Sequence, residues 1–161
     1  MNLYVWIDLE ASPQEVWEEL SDVASHVTWM QDAVELRFLT EQRTGVGTQF
    51  DCVTKVGPLQ TTDRMTITSW LAPHTIGVNH VGMVSGAGEL VIAPISPRVT
   101  RLMWQERLHF PVRFGGPVGA LFARPLLRHI WQGSLRTLRT RVEARHHHAR
   151  NKAGSHLDSD E

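Results

Sequence analysis

Glu106 is the residue of this sequence best suited to transfer a proton. It lies in a run that alternates apolar with polar residues, and in a β-strand such alternation divides the side chains between two faces. The face that we predict to point inward carries Leu102, Trp104, Glu106, Leu108 and Phe110. A carboxyl group desolvated by such neighbours is suited to general acid or base chemistry, such as enolisation or dehydration. The alternative is a structural ion pair with Arg64 or Arg124, because buried charges are usually paired.

His80 and Arg64 are the other two residues that we predict for catalysis, should a reaction occur. A neutral imidazole at position 80 can hydrogen-bond a ligand carbonyl or shuttle a proton near neutral pH. A histidine at a strand end is also explained as a solvated turn residue. Arg64 is ambiguous, because a slip of one residue moves it from the outer to the inner face, where it would bind an anionic or enolate oxygen. Asp51 has the same ambiguity.

Large rings are spread over the whole chain, which contains six tryptophans and five phenylalanines. Such rings either fill a core or line a ligand pocket. The residues predicted to contact a ligand are Trp29, Phe50, Trp70, Trp104, Phe114, Phe122 and Ile130, with Trp131 as a further ring of the wall. Gly86 and Gly88 lie within a predicted strand and Gly82 directly follows one; in strands, glycine permits sheet curvature or the close approach of another group.

The first elements are a strand and a short capped helix. Residues 3–10 alternate as a half-buried strand does. Ser12, Pro13 and Glu15 then form a capping box with proline at the first helical position, which predicts a helix that buries Val16 and Leu20. A second short helical segment is predicted to end near residue 30.

The middle of the chain reads as strands joined by short turns. Predicted strands cover residues 34–39, 47–56, 60–71, 75–81, 85–93 and 100–110. The breaks carry turn residues, including Gly57-Pro58, Pro73 and the segment from Pro94 to Pro97. Connections this short favour antiparallel hairpins over parallel crossovers.

A long helix is predicted after Gly116, opened by Pro117. Its apolar stripe is Leu127, Trp131, Leu135, Leu138 and Val142, the spacing of a helix that lies on a sheet. Pro125 should kink this helix or split off its first turns. We predict a single domain over residues 1–145 and a disordered polar tail over residues 146–161.

Composition excludes several classes of protein. The 16 basic and 17 acidic residues nearly cancel, so no overall field favours nucleic acid or an anionic membrane. Cys52 is the only cysteine, which rules out an intrachain disulfide and a multi-cysteine metal site. No apolar run reaches the ~18 residues of a membrane span, and no signal peptide is evident. We therefore expect a soluble cytoplasmic protein, either monomer or homodimer, that binds no nucleic acid.

Known cofactor and metal motifs are missing from the sequence. It contains no P-loop, no dinucleotide-binding glycine motif, no zinc-protease motif and no nucleophile elbow. His146, His147 and His148 have no carboxylate or cysteine at ligand spacing, so we predict no metal site. No cofactor is predicted.

The order of one strand, two short helices, six strands and a long helix resembles the START-like or Bet v 1-like superfamily. The capping segment 11–17, Trp29 at the end of the second helix and the Gly45–Thr48 turn support the resemblance. The nearest group is the bacterial polyketide cyclase/dehydrase-like (SRPBCC) proteins. The resemblance covers about residues 2–143 and implies an α+β helix-grip fold: a curved seven-stranded antiparallel sheet around the long C-terminal helix, with a hydrophobic cavity between them.

This fold implies no single activity, so the function has to be argued from residues. Our first prediction is the binding of a small hydrophobic molecule, of lipid, polyketide or aromatic type, between the sheet and the C-terminal helix. The alternative is a cofactor-independent cyclase or dehydratase in the same cavity. A third hypothesis is a module whose exposed 110–122 segment docks a protein or a membrane surface. The sequence leaves open whether any reaction is catalysed.

Overall fold

The computed structural model describes residues 1–112 and 115–157, without the side chains of Pro117 and residues 146–157. Seven strands and two α-helices follow in the predicted order, with a 3₁₀ helix, Val23–Thr28, after the first α-helix. They are β1 (Asn2–Leu9), α1 (Pro13–Ser21), β2 (Ala33–Phe38), β3 (Gln49–Val56), β4 (Leu59–Leu71), β5 (Thr75–Val81), β6 (Ser85–Ser96), β7 (Val99–His109) and α2 (Gly116–Leu157). The predicted helix-grip class is confirmed.

All seven strands form one antiparallel sheet in the order β1-β7-β6-β5-β4-β3-β2. Each strand from β2 to β7 pairs with its neighbour in sequence, as hairpins require, and β1 closes the far side against β7. β6 continues through Pro94 to Ser96, three residues beyond the prediction. Pro94 has no backbone N–H to donate, and the register shift between Pro94 and Ser96 lets the strand continue without that hydrogen bond.

The short helices begin where the capping residues predict. Ser12 accepts a hydrogen bond from the backbone of Glu15, and the Glu15 carboxylate accepts one from the backbone of Ser12, so the capping box is complete. The second segment is a 3₁₀ helix preceded by Asp22, whose side chain makes no capping bond.

α2 stays helical through Pro125, so the split that we predicted there is wrong. Pro125 lies on the exposed side of the helix, where water can satisfy the carbonyl that proline leaves unpaired. The helix also continues past residue 145 to Leu157, where we predicted disorder; residues 146–157 contain no proline to end it. No helix among the described residues is long and apolar enough to cross a membrane.

The middle of α2 packs on the sheet and its first turns do not. Trp131, Leu135, Leu138 and Val142 are buried in the main core, together with β1, β7 and α1. A second cluster, around Phe50, lies at the end of the sheet formed by β2, β3 and β4. The first turns of α2 expose large apolar side chains, which are Val118, Leu121, Phe122 and Leu126.

Candidate functional site

A cavity of about 440 Å³ lies between the inner face of the sheet and the first half of α2. Strands β2 to β7, the 3₁₀ helix and α2 all contribute to its wall, and most of that wall is apolar. From α2, Ala123, Leu127 and Trp131 face it, one turn apart. Leu59 and Leu126 also line the cavity and are each about half exposed, so they mark its mouth.

Two of the predicted ligand-contacting rings, Phe50 and Trp104, line this cavity. Trp29 and Trp70 do not. The ring of Trp29 is 1% exposed and lies edge-on behind Trp104, with centroids 6.2 Å apart. Trp70 packs against Trp17 at 5.2 Å. Both rings belong to the core that supports the wall.

The predicted contacts on α2 are wrong for Phe122 and Ile130. Phe122 is 76% exposed, and Ile130 packs against the main core outside the cavity. The next residue in each case, Ala123 or Trp131, is the one that faces the cavity. Consecutive side chains on a helix differ in direction by about 100°. Phe114 lies outside the described residues.

Arg64 is on the outer face of the sheet, so the prediction that it stabilises a ligand oxygen is wrong. Its Nε donates to Asp51 Oδ1 at 3.1 Å, and the side chain is 60% exposed. Its neighbour Asp63 points into the cavity instead. The one-residue alternation of β4 therefore puts a carboxylate where we had considered a guanidinium.

Glu106 lies on the inner face and is 8% exposed. Its Oε1 accepts a hydrogen bond from Trp104 Nε1 at 3.0 Å. Its Oε2 accepts none from the described residues and lies 3.4 Å from His80 Nε2. The predicted structural pairing with Arg64 or Arg124 is therefore not the one observed; the partner is a histidine that we had predicted separately.

His80 reaches Glu106 across an intervening strand, because β6 lies between β5 and β7. Two glycines of β6 make room for this contact. Gly88 pairs with Glu106, and a Cβ there would lie 2.8 Å from Oε2 and closer still to Oε1. A Cβ at Gly86 would lie 2.9 Å from His80 Nε2. Side chains at these positions would separate the pair.

The hydrogen bond to Val84 fixes the proton on one ring nitrogen of His80. Its Nδ1 lies 3.2 Å from the Val84 carbonyl oxygen, which only accepts, so Nδ1 carries a hydrogen. Nε2 then faces a carboxyl oxygen, and the two attract only if one further proton lies between them. The His80–Glu106 pair therefore holds one shared proton, either as imidazolium and carboxylate or as imidazole and carboxylic acid.

Burial alone would lower the pKa of His80, but Glu106 outweighs it and the net shift is upward. The hydrogen bond with Glu106 and its negative charge raise the pKa, and the Val84 carbonyl and Asp63 add to the effect. The imidazolium form is thus more favoured at His80 than at a free histidine.

Three ionisable residues that sequence reasoning missed also face the cavity: Asp63, Asp32 and His26. Asp63 Oδ1 accepts from the Met83 backbone at 3.0 Å, and Gly82 leaves the space for its carboxyl group. Its signal was available, since it shares strand parity with the buried Ile67.

Asp32 Oδ2 accepts from Trp131 Nε1 at 3.1 Å. Burial raises the pKa of Asp32, the Trp131 hydrogen bond opposes that shift, and the charge of Glu106 adds to it. His26 donates Nε2–H to the Leu20 carbonyl at 2.8 Å, and burial lowers its pKa, which keeps this imidazole neutral. Nothing in the sequence linked these contacts, because each joins distant elements or depends on backbone geometry.

Cys52 lines the same cavity as an unreactive thiol. Burial raises its pKa to about 11, so the nucleophilic thiolate is scarce at neutral pH. Among the side chains that the structure describes, no group of three or more metal-ligating residues is arranged to hold a metal ion.

Comparison with known proteins agrees with this geometry. The family model described as polyketide cyclase/dehydrase and lipid transport matches residues 2–143. The chain belongs to this family. A search of curated protein sequences finds no match.

Solved structures similar to this member of the family include proteins of different kinds. A START superfamily protein from Mycobacterium smegmatis superposes with a TM-score of 0.74 at 15% identity, covering 89% of this chain and 97% of that one. An aromatase/cyclase from a Streptomyces species gives 0.66 at 16%, covering 90% and 92%. A norcoclaurine synthase point mutant from Thalictrum flavum gives 0.67 at 14%, covering 88% and 93%. At these identities the likeness establishes the fold.

Proposed function

We propose that this protein binds a small, largely apolar molecule in the cavity between the sheet and α2. The observation that carries the proposal is the hollow itself: about 440 Å³, within the ~300–1,000 Å³ typical of ligand sites. Most of its wall is apolar, and Phe50, Trp104 and Trp131 offer large ring surfaces that an apolar guest would remove from water.

The test uses a neutral probe and a variant that blocks the cavity. 2-Ethylnaphthalene is titrated into the protein while tryptophan fluorescence is recorded, since Trp104 and Trp131 line the cavity. Val78→Trp fills the cavity from β5 and should abolish binding. Val34→Trp is the matched control, because Val34 is 51% exposed on β2. Equal binding by both variants would contradict an internal site.

A second candidate function, a dehydratase or cyclase, is favoured by the His80–Glu106 pair. In the imidazolium–carboxylate form, Glu106 accepts the proton α to a ligand carbonyl, while His80 donates its Nε2 proton to a leaving hydroxyl group. A carbon–carbon double bond forms and water leaves. The pair ends as carboxylic acid and imidazole, still with one shared proton, and transfer between Oε2 and Nε2 restores it.

Proton exchange distinguishes catalysis from binding alone. The α-protons of 1-tetralone in D₂O are followed by NMR with the wild type, Glu106→Gln and Asp51→Asn. Catalysis predicts exchange that Glu106→Gln abolishes while probe binding is retained. Asp51→Asn, which removes a carboxylate from the outer face, should leave the exchange unchanged. Exchange no faster than in buffer would exclude the enzymatic candidate and leave the binding proposal intact.

A further inference from the structure

The charged groups of the cavity wall are of one sign. Among the described residues that line it there is no lysine or arginine, whereas three buried carboxyl side chains point into it: Asp32, Asp63 and Glu106. The single raised-pKa histidine, His80, offsets only one of them. The acidic side chains of the cavity wall therefore outnumber the histidine that can offset them.

These carboxylates have acceptor capacity that the protein does not use. Glu106 Oε2 is buried and faces only His80 Nε2, at 3.4 Å, with no second donor among the described residues. Asp63 accepts one backbone donor, from Met83, and Asp32 accepts one indole N–H and its own backbone N–H. A carboxylate has about four lone-pair sites, so each can take further donors from a guest. Buried acceptors without donors are costly, and a ligand that donates to them removes that cost.

The aromatic part of the wall suits the same kind of guest. Trp104 and Trp131 stack with centroids 4.9 Å apart and an interplanar angle of 18°. Both indole N–H groups are directed to carboxylates, at Glu106 and Asp32. Aromatic faces attract a cation through their quadrupole. They also pack favourably against the apolar body of such a guest.

From these three observations we infer that the guest of this cavity is a cationic amine with an apolar, ring-sized body, and that carboxylate or phosphate ligands are rejected. The inference rests on the proposed function, because it assigns a chemical class to the same site. An anionic guest would have to lie beside carboxyl groups that no lysine or arginine of the described wall pairs with, in an interior of low dielectric where like charges repel strongly.

The experiment uses three probes with one naphthalene body: 2-(2-naphthyl)ethylamine, 2-ethylnaphthalene and 2-naphthylacetate. Calorimetric titration of the full chain at pH 7 should rank them in that order. The amine should bind roughly tenfold more tightly than the hydrocarbon, a margin that one well-placed charge supplies. The acetate should bind more weakly than the hydrocarbon.

Two variants separate the charge from the shape of the cavity. Asp63→Asn keeps an acceptor for the Met83 N–H and removes one inward charge, so the amine should lose most of its advantage while hydrocarbon binding is unchanged. Asp51→Asn, one register position away on the outer face, should change neither. The ranking of the three probes is measured on the wild type, so it does not depend on whether either variant folds.

The outcomes distinguish the two proposals. If the hydrocarbon binds and the amine binds no more tightly, the inferred ligand class is wrong and the internal binding site stands. If none of the three probes binds, the proposed function fails and the inference fails with it.

Discussion

Two buried glutamates, Glu19 and Glu106, show how differently this chain treats a carboxylate. Glu19 on α1 is 2% exposed and is held by two arginines of α2: Arg141 donates to Oε1 at 2.9 and 3.0 Å, and Arg145 lies 2.9 Å from Oε2. Glu106 is almost as buried, but its partners are an indole on Oε1 and a histidine 3.4 Å from Oε2. Arginine is a permanent cation, so Glu19 is neutralised at any physiological pH and serves the fold. The charge of a histidine depends on pH, so Glu106 has no permanent counter-ion.

Carboxylates on the outer face of the sheet are paired with arginine, as Glu19 is. Asp8 is paired with Arg101 at 2.7 Å, and Asp51 with Arg64 at 3.1 Å. Arginine is always charged at physiological pH, so such pairs do not respond to pH in the neutral range. The cavity carboxylates have no such partner among the described residues that line it. This contrast is the reason to assign Glu106 to the ligand rather than to the fold.

The largest expected effect comes from Gly88→Ala. The added Cβ collides with the Glu106 carboxyl group, which has to leave its position between Trp104 and His80. Overpacking of this kind typically costs about 1–3 kcal/mol of unfolding free energy. Chemical denaturation measures it. Gly133→Ala is the control, because the added Cβ meets only the flexible end of Gln31 and alanine favours a helix. Equal stability of both variants would contradict the close packing at Gly88.

A smaller effect is expected from Glu19→Gln. The substitution leaves Arg141 and Arg145 without their shared counter-ion at the α1–α2 contact. Loss of a fully buried partner costs ~3–5 kcal/mol, but these arginines are 34% and 59% exposed, so we expect about 1–2 kcal/mol. The loss should be similar at pH 5.5 and pH 8, because the groups paired with Glu19 are arginines; the one titrating neighbour, His26, feels its charge only as a minor effect beside burial. A clear pH dependence would show that Glu19 is not held by arginine alone.

The smallest effect is expected from Glu106→Gln, and it should depend on pH. The native pKa of His80 is raised above its ordinary value of 6.5, so the pair's contribution to stability is fully present below pH 6.5 and is lost as pH rises through the raised value. The wild type should therefore exceed the variant in unfolding free energy at pH 5.5 and by less at pH 8, where the introduced amide can donate to His80. A stability difference that does not change with pH would show that Glu106, like Glu19, stabilises the fold without a titrating partner.

The sequence predicted the fold better than it predicted the site. The two-residue period of β7 was sufficient to predict that Glu106 points inward, and the capping box predicted where α1 begins. The same reasoning left Arg64 open, although the shared parity of Asp63 and Ile67 pointed to Asp63 as the inner residue. The helical phase of Leu127 and Trp131 likewise pointed to Ala123, one turn earlier, rather than to Phe122.

The contacts that define the site depend on tertiary structure, which a single sequence does not display. His80 and Glu106 meet only because β6 separates β5 from β7 and carries glycine at both crossing positions. Asp32 and Trp131 meet although 99 residues separate them along the chain. Glycines in alternate positions of a strand were visible in the sequence, but the side chains that occupy their space were not.

The most direct test of an internal site is to locate the neutral probe by NMR. Intermolecular NOEs from bound 2-ethylnaphthalene should reach the methyl groups of Ile67 and Ile76, which line the cavity and are at most 3% exposed. NOEs confined to Val118 and Leu121, on the exposed start of α2, would place the probe on the surface. That result would contradict an internal binding site and favour the docking of a partner or membrane on this segment.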